Sequence, residues 1–316
     1  MGFFLDMLLT LLRFFLLGVP GFLLARMGKI EARGRAALVN VLLYVAMPCL
    51  VFKSLLETDV HALHAADFLI AFLFPVLITA ALIPLGMLAF RKHGDLARSC
   101  LFCATFSNCG FLGIPLAESL FGSGRVVLFV SLYNITATVL LFVVGGVMLS
   151  GNGKKQSFVK LLLSPLTVAT LLGILCSLLH VNATRAAWMY ELVRIPAAMT
   201  TPLSLTVLGC LLASLPRRAW WRDGGLWKTA GIKLVAAPVI AMAVLLLCRL
   251  CRIPLGQELA VAMLLSVAVS TAASAPSMVE EYGGDPHYAA ALTVGNTLLC
   301  LVTLPPVYLL FCLLFL

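Results

Sequence analysis

Thr105-Phe106-Ser107-Asn108-Cys109-Gly110-Phe111-Leu112-Gly113-Ile114-Pro115 interrupts the middle of one long apolar run, and Ser270-Thr271-Ala272-Ala273-Ser274-Ala275-Pro276-Ser277 interrupts another. In the first, two glycines and a proline fall within six residues. Proline has no backbone N–H to donate and disfavours helix in the residue before it. Glycine permits close backbone approach. The second stretch places small and hydroxylated residues around a proline. A broken helix in hydrocarbon is costly unless the break is buried in protein or lines a watery cavity. Two breaks at corresponding positions point to a substrate site at the membrane midplane. A simple proline kink between packed helices is the competing reading of either stretch alone.

The rest of the sequence makes these runs membrane spans. Of 316 residues, 62% are hydrophobic and 11% charged, against roughly 45–50% and 25% in soluble proteins. This excludes an ordinary soluble enzyme, a disordered chain and a nucleic-acid binder. Apolar windows give ten helical segments, at 5–26, 36–56, 67–90, 96–120, 126–149, 158–180, 188–213, 227–248, 258–281 and 288–315. The apolar start is read as the first span and not as a cleaved signal. The fold class expected is all-α integral membrane, with segments 4 and 9 broken and crossing.

The net charge of +9 reads as topology. Lys and Arg concentrate in the loops after segments 1, 3, 5 and 7, which places those loops in the cytoplasm and both termini outside. Arg13 and Lys233 are read as snorkelling to the interfaces, and Trp220, Trp221 and Trp227 as an interfacial belt. The ten cysteines sit mostly within apolar runs and lack the His partners of a zinc site, so they read as small buried residues. No phosphate loop, kinase set or nucleophile elbow is present, so no enzyme and no ATP-driven pump is expected from this chain alone.

The halves repeat. Met47-Pro48 answers Thr201-Pro202, Pro75 answers Pro238, and Pro115 answers Pro276; Glu118 precedes Asn134 by sixteen residues, as Glu280 precedes Asn296. Five spans per half force the halves, 1–153 and 154–316, into opposite orientations. Such inverted repeats recur in secondary transporters.

No Lys or Arg is expected near the middle of the broken spans, so the site should hold an anion without a formal cation. Each second half-helix, starting near Ile114 or Pro276, points free N–H groups and a positive dipole end toward its break. Candidate substrate-binding residues are Asn108, Gly110, Gly113, Ile114, Pro115, Asn134, Ser274, Ala275, Pro276 and Asn296, with hydroxyls from Ser107, Thr136 and Thr297. Structural hydrogen bonding between helices is the competing role for Asn134 and Asn296. Glu118 and Glu280 are candidates for carrying a coupling proton or cation; a place at the aqueous end of the half-helix is the alternative for each.

Asn108 through Leu116 resembles the segment-4 signature of the auxin efflux carrier family. Ser274-Ala275-Pro276, Tyr282-Gly283 and Asn296 with Leu304-Pro305 are similar to its C-terminal repeat. The resemblance implies a scaffold of segments 1, 2, 6 and 7 and a transport domain of segments 3–5 and 8–10. It also implies elevator movement, a homodimer formed through the scaffold and a bacterial plasma (inner) membrane. Malonate, malate or an auxin-like acid is the implied substrate class, with no cofactor beyond a coupling proton or sodium ion. Membrane lipid and the carboxylate are the expected partners. More distantly the plan is bile-acid-symporter/NhaA-like. A sodium-coupled bile-acid-type symporter, a channel and a non-transporting membrane sensor or scaffold are the alternatives.

Overall fold

The computed structural model describes residues 16–57, 64–122, 124–150, 165–181, 183–213, 222–253 and 255–315. The first half of segment 1, including Arg13 and the apolar start, lies outside them, as do Trp220 and Trp221. The chain is an all-helical membrane protein. In order run α1 (Val19–Arg26), α2 (Arg33–Glu57), α3 (Ala65–Phe90), α4 (Ala97–Thr105), α5 (Cys109–Phe121) and α6 (Arg125–Ser150). Then come α7 (Pro165–Leu178), α8 (Ala187–Ala213), α9 (Gly224–Leu250), α10 (Gln257–Ala268), α11 (Ala275–Glu281) and α12 (Pro286–Phe315). Six of these, α2, α3, α6, α8, α9 and α12, are long and apolar enough to cross a membrane. A bilayer core of about 30 Å needs about 20 helical residues, and each exceeds that.

Prolines shape the long helices without ending them. Wide π turns at Leu42–Ala46, Cys109–Gly113 and Gly231–Ala236 each stand just before Pro48, Pro115 and Pro238. A π turn shifts the hydrogen-bond register by one residue, which makes room for the ring and for the missing donor. In segment 4 this corrects the expected place of the break. The helix stops at Thr105 and resumes at Cys109, so Phe106–Asn108 are the interruption and Pro115 lies one turn inside the second half. In segment 9 the interruption runs from Val269 to Ser274, and Pro276 opens α11 as expected.

The helices associate in two sets. α1 lies against α8 so closely that a Cβ on Gly21 would sit 2.1 Å from the Thr206 carbonyl, and one on Gly209 2.0 Å from that of Gly18. α2 packs on α7 and α8, while α3 packs on α4 and α6, α6 on α10, and α12 on α9 and α11. Small residues at membrane helix contacts permit such approach, where dispersion replaces the hydrophobic drive. Leu171, Leu175, Trp188, Leu192 and Ile195 point outward from α7 and α8, the expected state of a lipid-facing surface. Trp227 is likewise exposed, as an interfacial ring would be.

Candidate functional site

The two interruptions meet. Ser107 and Thr271 form an antiparallel bridge, with the Asn108 N–H donating to Ser270 O at 2.7 Å and the Ala272 N–H to Phe106 O at 2.9 Å. This exchange answers the main objection to a break in a membrane. Each unsatisfied backbone group in hydrocarbon costs several kcal/mol by general estimates, and here the two breaks satisfy one another. Helix-end carbonyls find side-chain donors: Thr271 Oγ1 donates to Cys103 O at 2.7 Å, and Lys233 Nζ to Val267 O at 3.1 Å.

Against the first break lies a cavity of about 340 Å³. Its polar lining comes from Ser107, Asn108, Asn134, Thr138 and Ser274, with Gly110 beside them. Its walls are apolar and aromatic, including Met47, Phe106, Phe111, Ile135 and Phe142. Among the described residues the lining contains no charged side chain. Asn108 is 3% exposed, and its Nδ2 has no hydrogen-bond partner among the described residues. Such an orphan donor costs about 1–3 kcal/mol when buried and is expected where a ligand supplies the acceptor. Gly110 brings its backbone under Asn134: a Cβ there would touch Asn134 Oδ1 at 3.4 Å.

Of the expected site residues, the cavity brings together Asn108, Gly110, Asn134 and Ser274, joined by Ser107. Gly113, Ile114, Pro115, Ala275 and Pro276 stand behind the lining, within the half-helices that shape it. Asn296 is fully buried and away from the cavity; its Nδ2 donates to Thr271 Oγ1 at 2.7 Å. Thr297 is also buried, donating to Ser270 Oγ at 3.0 Å and Thr293 O at 2.8 Å. Thr136 lies off the lining, whose hydroxyl on this helix is Thr138.

Glu118 accepts from Thr201 Oγ1 at 2.8 Å, linking α5 to α8. Glu280 is exposed. On the same side as Glu118, Ser54 Oγ donates to Gly124 O at 2.7 Å, and Ser204 Oγ donates to Phe111 O.

Lys233 departs from expectation. It does not snorkel: its side chain is 0% exposed, and Nζ donates to Ser107 Oγ as well as to Val267 O. A basic side chain therefore stands beside the paired breaks after all. The reason is local: Lys233 sits in the π turn of α9, which directs it toward the paired breaks instead of along the helix to the interface. The signal available in sequence was a lone Lys within the apolar Gly231–Leu247 run, five residues before Pro238.

With the paired breaks and the cavity in place, likeness to known proteins becomes informative. The family described as Membrane transport protein, that of the auxin efflux carriers, matches residues 6–159 and 154–308. The chain belongs to this family. It is a membrane transporter and not an enzyme. The two matched stretches suggest an internal repeat. A protein of Rhizobium meliloti, provisionally named a malonate transporter, is 25% identical over 303 residues, covering 92% of each chain. An uncharacterized transporter of Methanothermobacter thermautotrophicus is 26% identical over 245 residues, 74% of this chain and 77% of its own.

Proposed function

We propose that this transporter is a secondary carrier of small organic carboxylates, malonate, malate or an auxin-like acid among them, working by elevator-type alternating access. The observation that carries the reading is the cavity at the paired breaks, with its unpartnered Asn108 amide. One carboxylate oxygen accepts from Asn108 Nδ2. Asn134, Ser274 and the first N–H groups of α5 surround the group, and the positive end of α5 favours its charge. The apolar walls receive the body of the acid.

The inverted ten-span plan, the scaffold of segments 1, 2, 6 and 7, and the moving domain of segments 3–5 and 8–10 are part of this proposal. The closer packing of α1 on α8 and of α2 on α7 and α8, against the lighter contact of α2 and α7 with α6, supports the division. The cavity reaches Pro165 and Phe142, at the α6–α7 end of the bundle, which the loop charges assign to the cytoplasm. Opposite, the Thr201–Glu118 and Ser54–Gly124 bonds close the interface between the two sets. That is the arrangement of a carrier open to one side. A bacterial inner membrane and a scaffold-mediated homodimer belong to the same reading.

Counterflow in proteoliposomes tests it. Labelled malonate, malate or indole-acetate should accumulate saturably against an unlabelled internal pool. The absence of saturable counterflow with all three overturns the carrier reading and favours a sensor or scaffold. Replacing sodium with potassium in the same assay separates a sodium symporter from a sodium-independent carrier.

A further inference from the structure

Lys233 is wholly buried beside the bridge where the two breaks touch, and in its ammonium form it carries a positive charge there. Among the described residues no carboxylate lies within ion-pair distance of it. Its bond to Val267 O places it at the C-terminal end of α10, which carries the equivalent of about half a negative charge. A helix end therefore offsets only part of the ammonium. A buried charge of this kind remains several kcal/mol unfavourable by general estimates until an anion completes the pairing.

The geometry points to where that anion sits. Lys233 does not line the cavity, but Ser107 does, and the ammonium donates to Ser107 Oγ. Tyr133, buried on α6, interacts with the same hydroxyl. A hydroxyl has two acceptor lone pairs and one proton. With Lys233 donating to the oxygen, the Ser107 proton can turn from Tyr133 to an acceptor on the cavity side. The neighbouring residue supplies the second donor, the unpartnered Nδ2 of Asn108.

We propose that Lys233 is a positioning residue that makes the site selective for carboxylates, acting as a counter-charge through the Ser107 hydroxyl while Asn108 holds the second oxygen. This rests on the carrier reading for the identity of the ligand. It adds that the preference for an anion comes from a tethered cation one hydrogen bond behind the lining. A substrate chain would then see a neutral wall and a polarised hydroxyl, and its carboxylate would still meet the charge. A purely structural role, as cap of the α10 carbonyls, makes the opposite prediction: Lys233 would matter to stability but not to the charge of the ligand.

The experiment compares each acid with its neutral amide. Thermal-shift titrations of the purified full-length protein use malonate against malonamide and indole-acetate against indole-acetamide. Counterflow of the acids is measured in parallel. The wild-type protein should prefer at least one acid over its amide by about tenfold or more, as for a charge-assisted contact. Lys233→Met, which replaces a buried charge by an apolar chain of similar length and is often neutral for folding, should lose that preference by weakening the acid alone. Ser107→Ala should do the same with the ammonium still present, and Ser107→Thr, which keeps the hydroxyl, should retain it. An acid preference unchanged in folded Lys233→Met and in Ser107→Ala overturns the inference, as does the lack of any acid preference in wild-type protein. Acid binding without counterflow would instead remove the carrier reading and leave this one standing.

Discussion

Both breaks border the cavity, but the one at Phe106–Asn108 keeps an amide donor with no partner among the described residues, whereas in the one at Val269–Ser274 the Ser270 and Thr271 side chains are tied into the protein. The same contrast runs through the rest of the repeat. Asn134 lines the cavity, while its counterpart Asn296 is buried on Thr271. Glu118 bridges α5 to α8, while Glu280 lies in the open. The repeat thus supplies two equivalent backbone interruptions, needed because each pairs the other's N–H and C=O groups. Side-chain chemistry then differs: the first half leaves Asn108 Nδ2 without a partner among the described residues, and the second ties Ser270 and Thr271 into the crossing. Ala272, Ala273 and Ser274 reach the cavity from the second half, and of these only Ser274 brings a polar side chain.

The largest effect that would sharpen this contrast is at the paired asparagines. Asn108→Ala should weaken carboxylate binding by about 1.5–3 kcal/mol, roughly 10- to 100-fold, the worth of a hydrogen bond to a charged group. Its melting temperature should stay near that of wild type, since the lost donor has no protein partner. Wild-type counterflow rates in Asn108→Ala would remove the residue from the site. Asn296→Ala and Thr271→Val should behave in the reverse sense. Each removes part of the buried Asn296–Thr271–Cys103 chain and should cost about 1–3 kcal/mol of stability. Their substrate affinity, read by titration on the folded protein, should move by less than about threefold. Equal losses of affinity in Asn108→Ala and Asn296→Ala would break the division between the halves.

Asn134→Ala comes next, at about 1 kcal/mol, near fivefold in affinity, as expected of one neutral amide at the edge of the site. The smallest contrast is between the glutamates. Glu118→Ala loses the Thr201 bond across the two helix sets, worth about 1 kcal/mol, and should alter turnover up to about fivefold with KM little changed. Glu280→Ala, at an exposed position, should stay within about 0.5 kcal/mol in both stability and turnover. A loss of turnover on Glu280→Ala equal to that on Glu118→Ala would restore symmetry to the pair.

Much of this architecture was legible in the residues. Composition and apolar run length placed helices where α2 to α12 stand, because a bilayer enforces backbone satisfaction and a minimum span. Pro, Gly and small hydroxylated residues marked both interrupted spans, the second break to within a turn and the first about five residues late. The exact place of the first break was not legible, since a π turn absorbs Pro115 and moves the interruption to Ser107. Asn108 could be singled out because an amide beside a break must find a partner. Asn134 and Asn296, identical in spacing to their glutamates, could not be told apart.

What the sequence alone determined was therefore a helical membrane protein with two interrupted spans and a scarcity of charge. Run length, hydropathy and the chemistry of proline are local properties, and they follow from neighbouring residues. Only the tertiary structure decided which polar side chain is satisfied, because a hydrogen-bond partner comes from another helix. It also decided the fate of Lys233. A lysine near a span's end reaches water or the core according to the direction in which its turn points, and the π turn of α9 points this one at the crossing of the breaks.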